Sequence, residues 1–209
     1  MKEIDIAALL CSRLCHDLIS PVSGVSNGME ILDDETDPHM RDQVFDLIRK
    51  SSQQSSDMVQ FYRVAFGAGG GMDGQVEVAK TLSVIEGFLT SKKITLNSNF
   101  EADFLPKNIN KLLLNIILIA AECLVRGGEM DVTLGGGSNL LISVKGTTLI
   151  LYPPIREIIS SNGEADEFEP RTVPLVLIYD ILSSLKAKLS MNQNVEGRLS
   201  FEVNLPINI

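Results

Sequence analysis

The chain has 209 residues, enough for one domain or two small ones, and its 44% hydrophobic and 22% charged fractions are those of a folded protein rather than a disordered or collagenous one. A net charge of −9 argues against a nucleic-acid or anionic-membrane partner, because both are recognised through clustered Lys and Arg. An acidic protein of this kind is expected to read another protein. The longest apolar run, Leu112 to Ala121, is about half of the ~20 residues a spanning helix needs, and Asn115 interrupts it, so no membrane span is expected. The start Met1-Lys2-Glu3-Ile4-Asp5 lacks signal-peptide character, and Cys11, Cys15 and Cys123 are too few for a disulfide framework. The expected location is cytoplasmic.

Residues 1–66 carry a helical period. Ile4, Ala8, Cys11, Cys15, Leu18, Val22, Val25, Met29 and Leu32 follow an unbroken 4-3-4-3 spacing, the seam of about four heptads. The turn Asp33-Asp34-Glu35-Thr36 follows, and Asp37-Pro38 restarts a helix as N-cap and first-turn proline. The second arm places Met40, Val44, Leu47, Ser51, Met58, Tyr62 and Ala65 at similar spacing and stops at the glycine-rich run Gly67-Ala68-Gly69-Gly70-Gly71. Each large seam residue left in water forfeits about 1.5–3 kcal/mol, so two hairpins are expected to pair into a homodimeric four-helix bundle. The alternative is packing against the chain's own C-terminal half.

From residue 72 to 209 the period changes. Strands are expected at 75–78, 94–96, 130–134, 140–144, 148–151, 188–191 and 199–205, from alternation and β-branched content. Helices are expected at 79–91, 107–126 and 173–186, with glycine turns at 127–128 and 135–137. This mixture implies an α/β sandwich, a sheet with helices on one face, and the glycine-rich run at 67–71 is the natural hinge between the halves.

Of the two histidines, His16 has the more telling place. It lies about 140° from the heptad seam at 100° per residue, in mid-helix, on a polar arc with Ser12, Arg13, Asp17, Ser20, Ser23 and Asn27. His39 sits in a first helical turn and is expected to be simply exposed. Cys11 and Cys15 flank His16 in sequence, yet they belong to the seam while His16 points away, so the three do not converge on a zinc ion and the cysteines read as core. The acidic stretch Asp33-Asp34-Glu35 with Asp37 reads as a solvated turn.

The string Arg13-Leu-Cys-His16-Asp17-Leu18-Ile19-Ser20-Pro21 resembles the H-box of two-component signalling: a helix-borne His, an acidic residue, Leu, and Pro five places on. That proline removes one helical hydrogen bond and is expected to bend the helix just past the His. Leu9 to Leu18 and Gln60-Phe-Tyr-Arg-Val-Ala-Phe-Gly67 are similar to the histidine phosphotransferases of the alphaproteobacterial ChpT type. The resemblance implies a dimeric hairpin followed by a degenerate relative of the sensor-kinase ATP-binding domain. The helix around Asn115 resembles the kinases' Asn-bearing helix, but Ile119 stands where a metal-binding Asn is needed. No Asp-x-Gly-x-Gly occurs, and the glycines at 135–137 are not followed by the Lys-Ser or Lys-Thr of a Walker loop.

The resemblance further implies that His16 takes a phosphoryl group from a receiver aspartate and passes it to another. Asp17 would hold the second ring nitrogen, Arg13 would screen the phosphoryl oxygens, and Ser20 would contact phosphoryl or water. Partners would be response-regulator receiver domains and the receiver of a hybrid kinase, docked across Ser12, Ser23 and Asn27. No cofactor is expected, the Mg²⁺ being carried by the receiver. Two other classes stay open on the residues: an active sensor-type kinase with unrecognised ATP motifs, and a non-catalytic dimeric scaffold. Residues 1–66 hold 6 Lys and Arg against 11 Asp and Glu, and residues 67–209 hold 12 against 16. Neither half is basic, so recognition has to rest on local features around one histidine.

Overall fold

The computed structural model describes residues 3–67, 74–135, 139–194 and 197–206. Two long helices, α1 (Glu3–Asp34) and α2 (Pro38–Phe66), form the expected hairpin. The Asp37 side chain accepts from the His39 N–H at 3.0 Å, with Pro38 in the first turn, as the sequence implied. Arg41 closes the turn from the other side by donating to the carbonyls of Leu32 at 2.8 Å and Glu35 at 2.7 Å, acceptors left over by the end of α1. The two arms approach so closely that a Cβ on Gly24 would lie 2.6 Å from Ser51 Oγ, and one on Gly28 2.5 Å from Ile48 Cγ1. Glycine is the residue that permits this approach. α1 is assigned as one helix straight through Pro21, whose missing N–H leaves the Asp17 carbonyl without its usual donor.

Only the edge of the heptad seam is buried within the chain: Leu32 is buried and Leu18 and Val25 are half-buried, while the rest of the seam is not the face that α1 packs. The buried or half-buried arc runs through Arg13, Asp17, Pro21, Gly24, Gly28 and Leu32, displaced by roughly 100° from the seam. Ala8, Cys11, Cys15, Val22 and Met29 stay exposed, together with Ile4 and Ile19. The sequence reading of Cys11 and Cys15 as core residues is therefore corrected for the single chain, whereas Cys123 and Met130 are core as expected. The offset arises because α1 has two neighbours, α2 and the α/β half, and together they cover a wider arc than one helix does. α1 is also long and apolar enough, by length and composition, to cross a membrane, a property that a contiguous apolar run does not reveal. Here, however, it packs along α2 and has Arg13 and Asp17 of its middle turns tied into the protein.

The second half begins with β1 (Gln75–Glu77), α3 (Val78–Thr90), β2 (Ile94–Phe100) and β3 (Phe104–Pro106). It continues with α4 (Lys107–Glu122), β4 (Gly128–Leu134), β5 (Asn139–Lys145), α5 (Pro153–Ser160), α6 (Val173–Leu185), β6 (Lys188–Gln193) and β7 (Arg198–Asn204). β1 and β3 pair antiparallel as a small ribbon, and the main sheet runs β2-β4-β5-β7-β6, parallel only between β2 and β4. One face is apolar, with Met130, Val132, Leu140, Ile142, Val144, Leu199, Phe201 and Val203 buried beneath α4 and α6. The opposite positions, such as Glu129, Asp131 and Glu202, are more accessible, which is the α/β sandwich expected from the pattern. α4 is buried almost all round from Leu112 to Ala121.

Several boundaries differ. The expected strand at 148–151 is only a single bridge from Leu149 to Leu124, and α4 ends at Glu122 because the following residues make that bridge rather than another helical turn. β3 and α5 were not anticipated. Pro153 and Pro154 occupy the first turn of α5, where a missing N–H costs nothing. Gly67 ends α2, but residues 68–71 of the expected hinge and Gly136 and Gly137 of the expected turn lie outside the described residues.

Candidate functional site

His16 projects from the middle of α1 with 84% of its side chain exposed. Its Nδ1 lies 3.0 Å from Asp17 Oδ1. A carboxylate only accepts, so Nδ1 carries the proton and Nε2 presents its lone pair to solvent. Asp17 is itself held from beneath: Arg13 Nε donates to Oδ2 at 2.7 Å, and the Tyr62 hydroxyl of α2 donates to the same oxygen. Burial by itself would push the Asp17 carboxyl up, but the Arg13 charge and the hydrogen bonds from His16, Tyr62 and Arg13 outweigh it and hold the group below the usual aspartate value. Burial raises the Tyr62 hydroxyl far above the ordinary tyrosine value, so it stays a donor.

Arg13 is the principal correction. The sequence placed it on a solvated arc, free to meet phosphoryl oxygens, but it is buried with 5% exposure. Its guanidinium pairs with Asp17 on one side and with Glu122, at the end of α4, on the other. It also donates to the carbonyls of Pro170 at 3.4 Å and Arg171 at 3.3 Å. Glu122 in turn accepts from Arg171 Nε at 2.9 Å, and the Arg171 guanidinium stacks over the Tyr152 ring at 4.5 Å. The loop bearing Pro170 and Arg171 is held by Thr172, whose N–H donates to the Glu169 carbonyl at 2.9 Å and whose hydroxyl accepts from the Glu169 N–H at 3.0 Å. Arg13 thus fastens the hairpin to the α/β half and orients Asp17.

The string Gln60–Gly67, recognisable in the sequence but without a role, now has one. Phe61 stacks on Phe88 of α3 at 4.0 Å between ring centroids, Tyr62 stacks on Phe66 at 5.1 Å, and this aromatic cluster aims the Tyr62 hydroxyl at Asp17. Arg63 faces elsewhere, lining a separate cleft with Lys107 and Lys111. Ser12, Ser20, Ser23 and Asn27 are exposed on the arc of α1 that carries His16, and His39 is exposed at the hairpin turn. Sequence reasoning missed Tyr62 as a site residue, and it missed Glu122, Arg171 and Lys92, which meet His16 around a cleft of about 390 Å³. Among the described residues no three His, Cys, Asp or Glu side chains are grouped to hold a metal ion.

The model of the family described as "Histidine phosphotransferase C-terminal domain" matches residues 78–197. The chain belongs to the histidine phosphotransferase family. This phosphotransferase is 31% identical over 199 residues to "Protein phosphotransferase ChpT" of Brucella abortus (strain 2308), with 94% of each chain covered. It is also similar to the solved structure titled "1.7 Angstrom Structure of a Bacterial Phosphotransferase", at TM-score 0.84 and 30% identity over 97% of both chains. The catalytic domain of the histidine kinase ThkA superposes on 64% of the chain at TM-score 0.46 and 13% identity. The phosphotransferase acts as a transferase in two-component signalling, and its arrangement of helical hairpin and α/β sheet is shared with that solved bacterial phosphotransferase.

Proposed function

We propose that His16 is the phosphorylated residue and that the protein relays a phosphoryl group between receiver-domain aspartates. The observation that carries this reading is the geometry of one ring: Nδ1 fixed by a carboxylate that is itself anchored by Arg13 and Tyr62, and Nε2 open to solvent. Nε2 attacks the phosphorus of an acyl phosphate on an incoming receiver, and Asp17 balances the positive charge that the ring then acquires. The phosphoramidate formed keeps a high transfer potential, and a second receiver takes the group by the reverse step. The transfer needs in-line geometry and charge neutralisation, and the receiver brings the Mg²⁺. Arg13 acts through Asp17 as a positioning residue, while Ser20, Ser12, Ser23 and Asn27 give the incoming domain a small, polar surface beside the histidine.

The exposed stripe of Ile4, Ala8, Cys11, Cys15, Val22 and Met29 supports a homodimer, with Met40, Phe45 and Leu47 of α2 left open as well. Pairing two hairpins through these residues gives a four-helix bundle with two phosphorylation sites. The α/β half is read as a domain that has left nucleotide binding behind. Ile119 is 2% exposed and has no oxygen to offer, while the Asn115 amide donates to the carbonyls of Ala65 at 3.1 Å and Lys111 at 2.8 Å. Asn115 thereby ties α4 to the end of α2. A cytoplasmic setting follows from receiver partners.

Incubation with a phosphorylated receiver tests the reading. Wild type is expected to gain an acid-labile, base-stable phosphate that His16→Ala lacks; equal labelling of the two removes His16 from the mechanism. Micromolar binding of an ATP analogue overturns the reading of the α/β half.

A further inference from the structure

The cleft beside His16 brings charged side chains of both signs together next to the exposed imidazole. Three cations line it, Arg13, Lys92 and Arg171, opposite Asp17, Glu122 and Glu169. Two of the three are committed. Arg13 holds Asp17, Glu122 and two carbonyls, and Arg171 holds Glu122 and the Tyr152 ring. Lys92 differs. Among the described residues its ammonium has no ion pair or hydrogen bond; it rests 5.0 Å from the centroid of the Phe88 ring, the ring that stacks on Phe61 of α2.

Its backbone is fixed in the turn that follows α3. The Lys92 N–H donates to the Leu89 carbonyl at 3.0 Å, the Lys93 N–H to the Thr90 carbonyl at 3.1 Å, and the Lys93 carbonyl accepts from the Gly128 N–H at 3.1 Å. Lys93 adopts the left-handed conformation with φ 58°, which directs the chain into β2. A half-buried ammonium without an ion pair or hydrogen bond is unfavourable, and a fixed turn that places it in the cleft His16 also lines is the arrangement expected of a site awaiting an anion. Burial lowers the lysine from its ordinary value, the Asp17 carboxylate opposes that shift, and Arg13 adds to it, so the ammonium lies within electrostatic reach of the pair that holds His16.

We propose that Lys92, supplied by the α/β half, is a catalytic residue of phosphoryl transfer whose ammonium contacts the phosphoryl oxygens as the group moves onto and off His16. The proposal rests on His16 being the acceptor. In the forward step the His16 Nε2–P bond forms while the acyl P–O bond breaks, and the electron pair of that bond stays on the receiver carboxylate. The ring keeps its Nδ1 proton against Asp17, and Lys92 neither gives nor takes a proton. It offsets the charge spread over the three equatorial oxygens, which is the main task a protein has in such a transfer. The histidine and its carboxylate come from the hairpin and the cation from the α/β half, so the complete site spans both.

The test uses the full chain and two donors: phosphoramidate, which requires no docking, and a phosphorylated receiver domain. Rates of acid-labile labelling are compared for wild type, Lys92→Met, Lys92→Arg and His16→Ala. Lys92→Met keeps the apolar stem over Phe88 and is expected to slow labelling about 100-fold with both donors, the scale of losing one charge-stabilising donor. Lys92→Arg is expected to recover to within about 10-fold of wild type, a rescue that a packing role does not give to a larger side chain. Wild-type rates for Lys92→Met with phosphoramidate overturn the proposal. So does slowing confined to the receiver, which assigns Lys92 to docking. Undiminished labelling of His16→Ala refutes the underlying site assignment and is told apart from both by that variant alone.

Discussion

Replacing Tyr62 by Phe removes one oxygen and leaves the ring in the aromatic cluster with Phe61, Phe66 and Phe88. Tyr62 is 1% exposed, and its hydroxyl donates to the Asp17 carboxylate, so the lost bond is a buried one to a charged acceptor. Such bonds contribute about 1.5–3 kcal/mol, and Asp17 keeps Arg13 and His16 as partners, so the expected destabilisation at neutral pH is about 2 kcal/mol. The effect should depend on pH with a definite sign. The folded-state value of Asp17 lies below its ordinary 3.8, so the carboxylate contributes stability that is fully present above 3.8 and is lost as pH falls through the folded value. Below that, Tyr62 faces a neutral carboxyl, and its bond is worth only about 0.5–1.5 kcal/mol. Urea unfolding of wild type and Tyr62→Phe at pH 7 and at a series of pH values descending below 3.8 should show the gap between them narrowing as the Asp17 carboxylate takes up its proton. A gap that is under about 0.5 kcal/mol at pH 7, or that widens in acid, refutes the claim that Tyr62 stabilises an ionised Asp17.

Arg13→Met should be the more damaging change, because it leaves two carboxylates without a shared cation. Removing one partner of a buried ion pair costs about 3–5 kcal/mol, and since Glu122 retains Arg171 and Asp17 retains Tyr62, the lower end is expected. For a chain of this size that is a fall in melting temperature of about 6–12 °C, read by calorimetry or circular dichroism. The paired substitution Val22→Glu and Met29→Glu, at positions 51% and 52% exposed in the single chain, should leave folding intact. It should shift the protein to the mass of one chain in sedimentation equilibrium; an unchanged mass assigns the stripe to something other than self-association.

The hairpin was legible in the sequence because its signals are local. Asp37-Pro38 marks a helix start within a few residues, and the 3.6 period of both arms declares itself over many turns. Spacing alone put His16 on the polar arc of its helix, where a histidine is most often simply exposed, and the resemblance of the string from Arg13 to Pro21 to an H-box is what singled it out. What stayed hidden depends on contacts between distant segments. Arg13 and Glu122 are 109 residues apart, Asp17 and Tyr62 are 45, and no periodicity in either segment announces the other. The wheel treated α1 as having one partner, so it put Arg13 in solvent. β3 has only three residues and α5 eight, lengths at which propensity is easily overridden by neighbours. Lys92 is a lysine in a turn, which in a sequence looks like any other solvated charge.

The link from Asp17 through Arg13 to Glu122 has a genetic corollary. A substitution at Glu122, or in the loop that presents the Pro170 and Arg171 carbonyls, alters the hydrogen bonding of a histidine more than a hundred residues away without touching α1. Alleles with impaired relay should therefore cluster in two stretches of the chain, the middle of α1 and the far end of α4 with its facing loop. Compensating changes should arise across that pair rather than beside the original lesion.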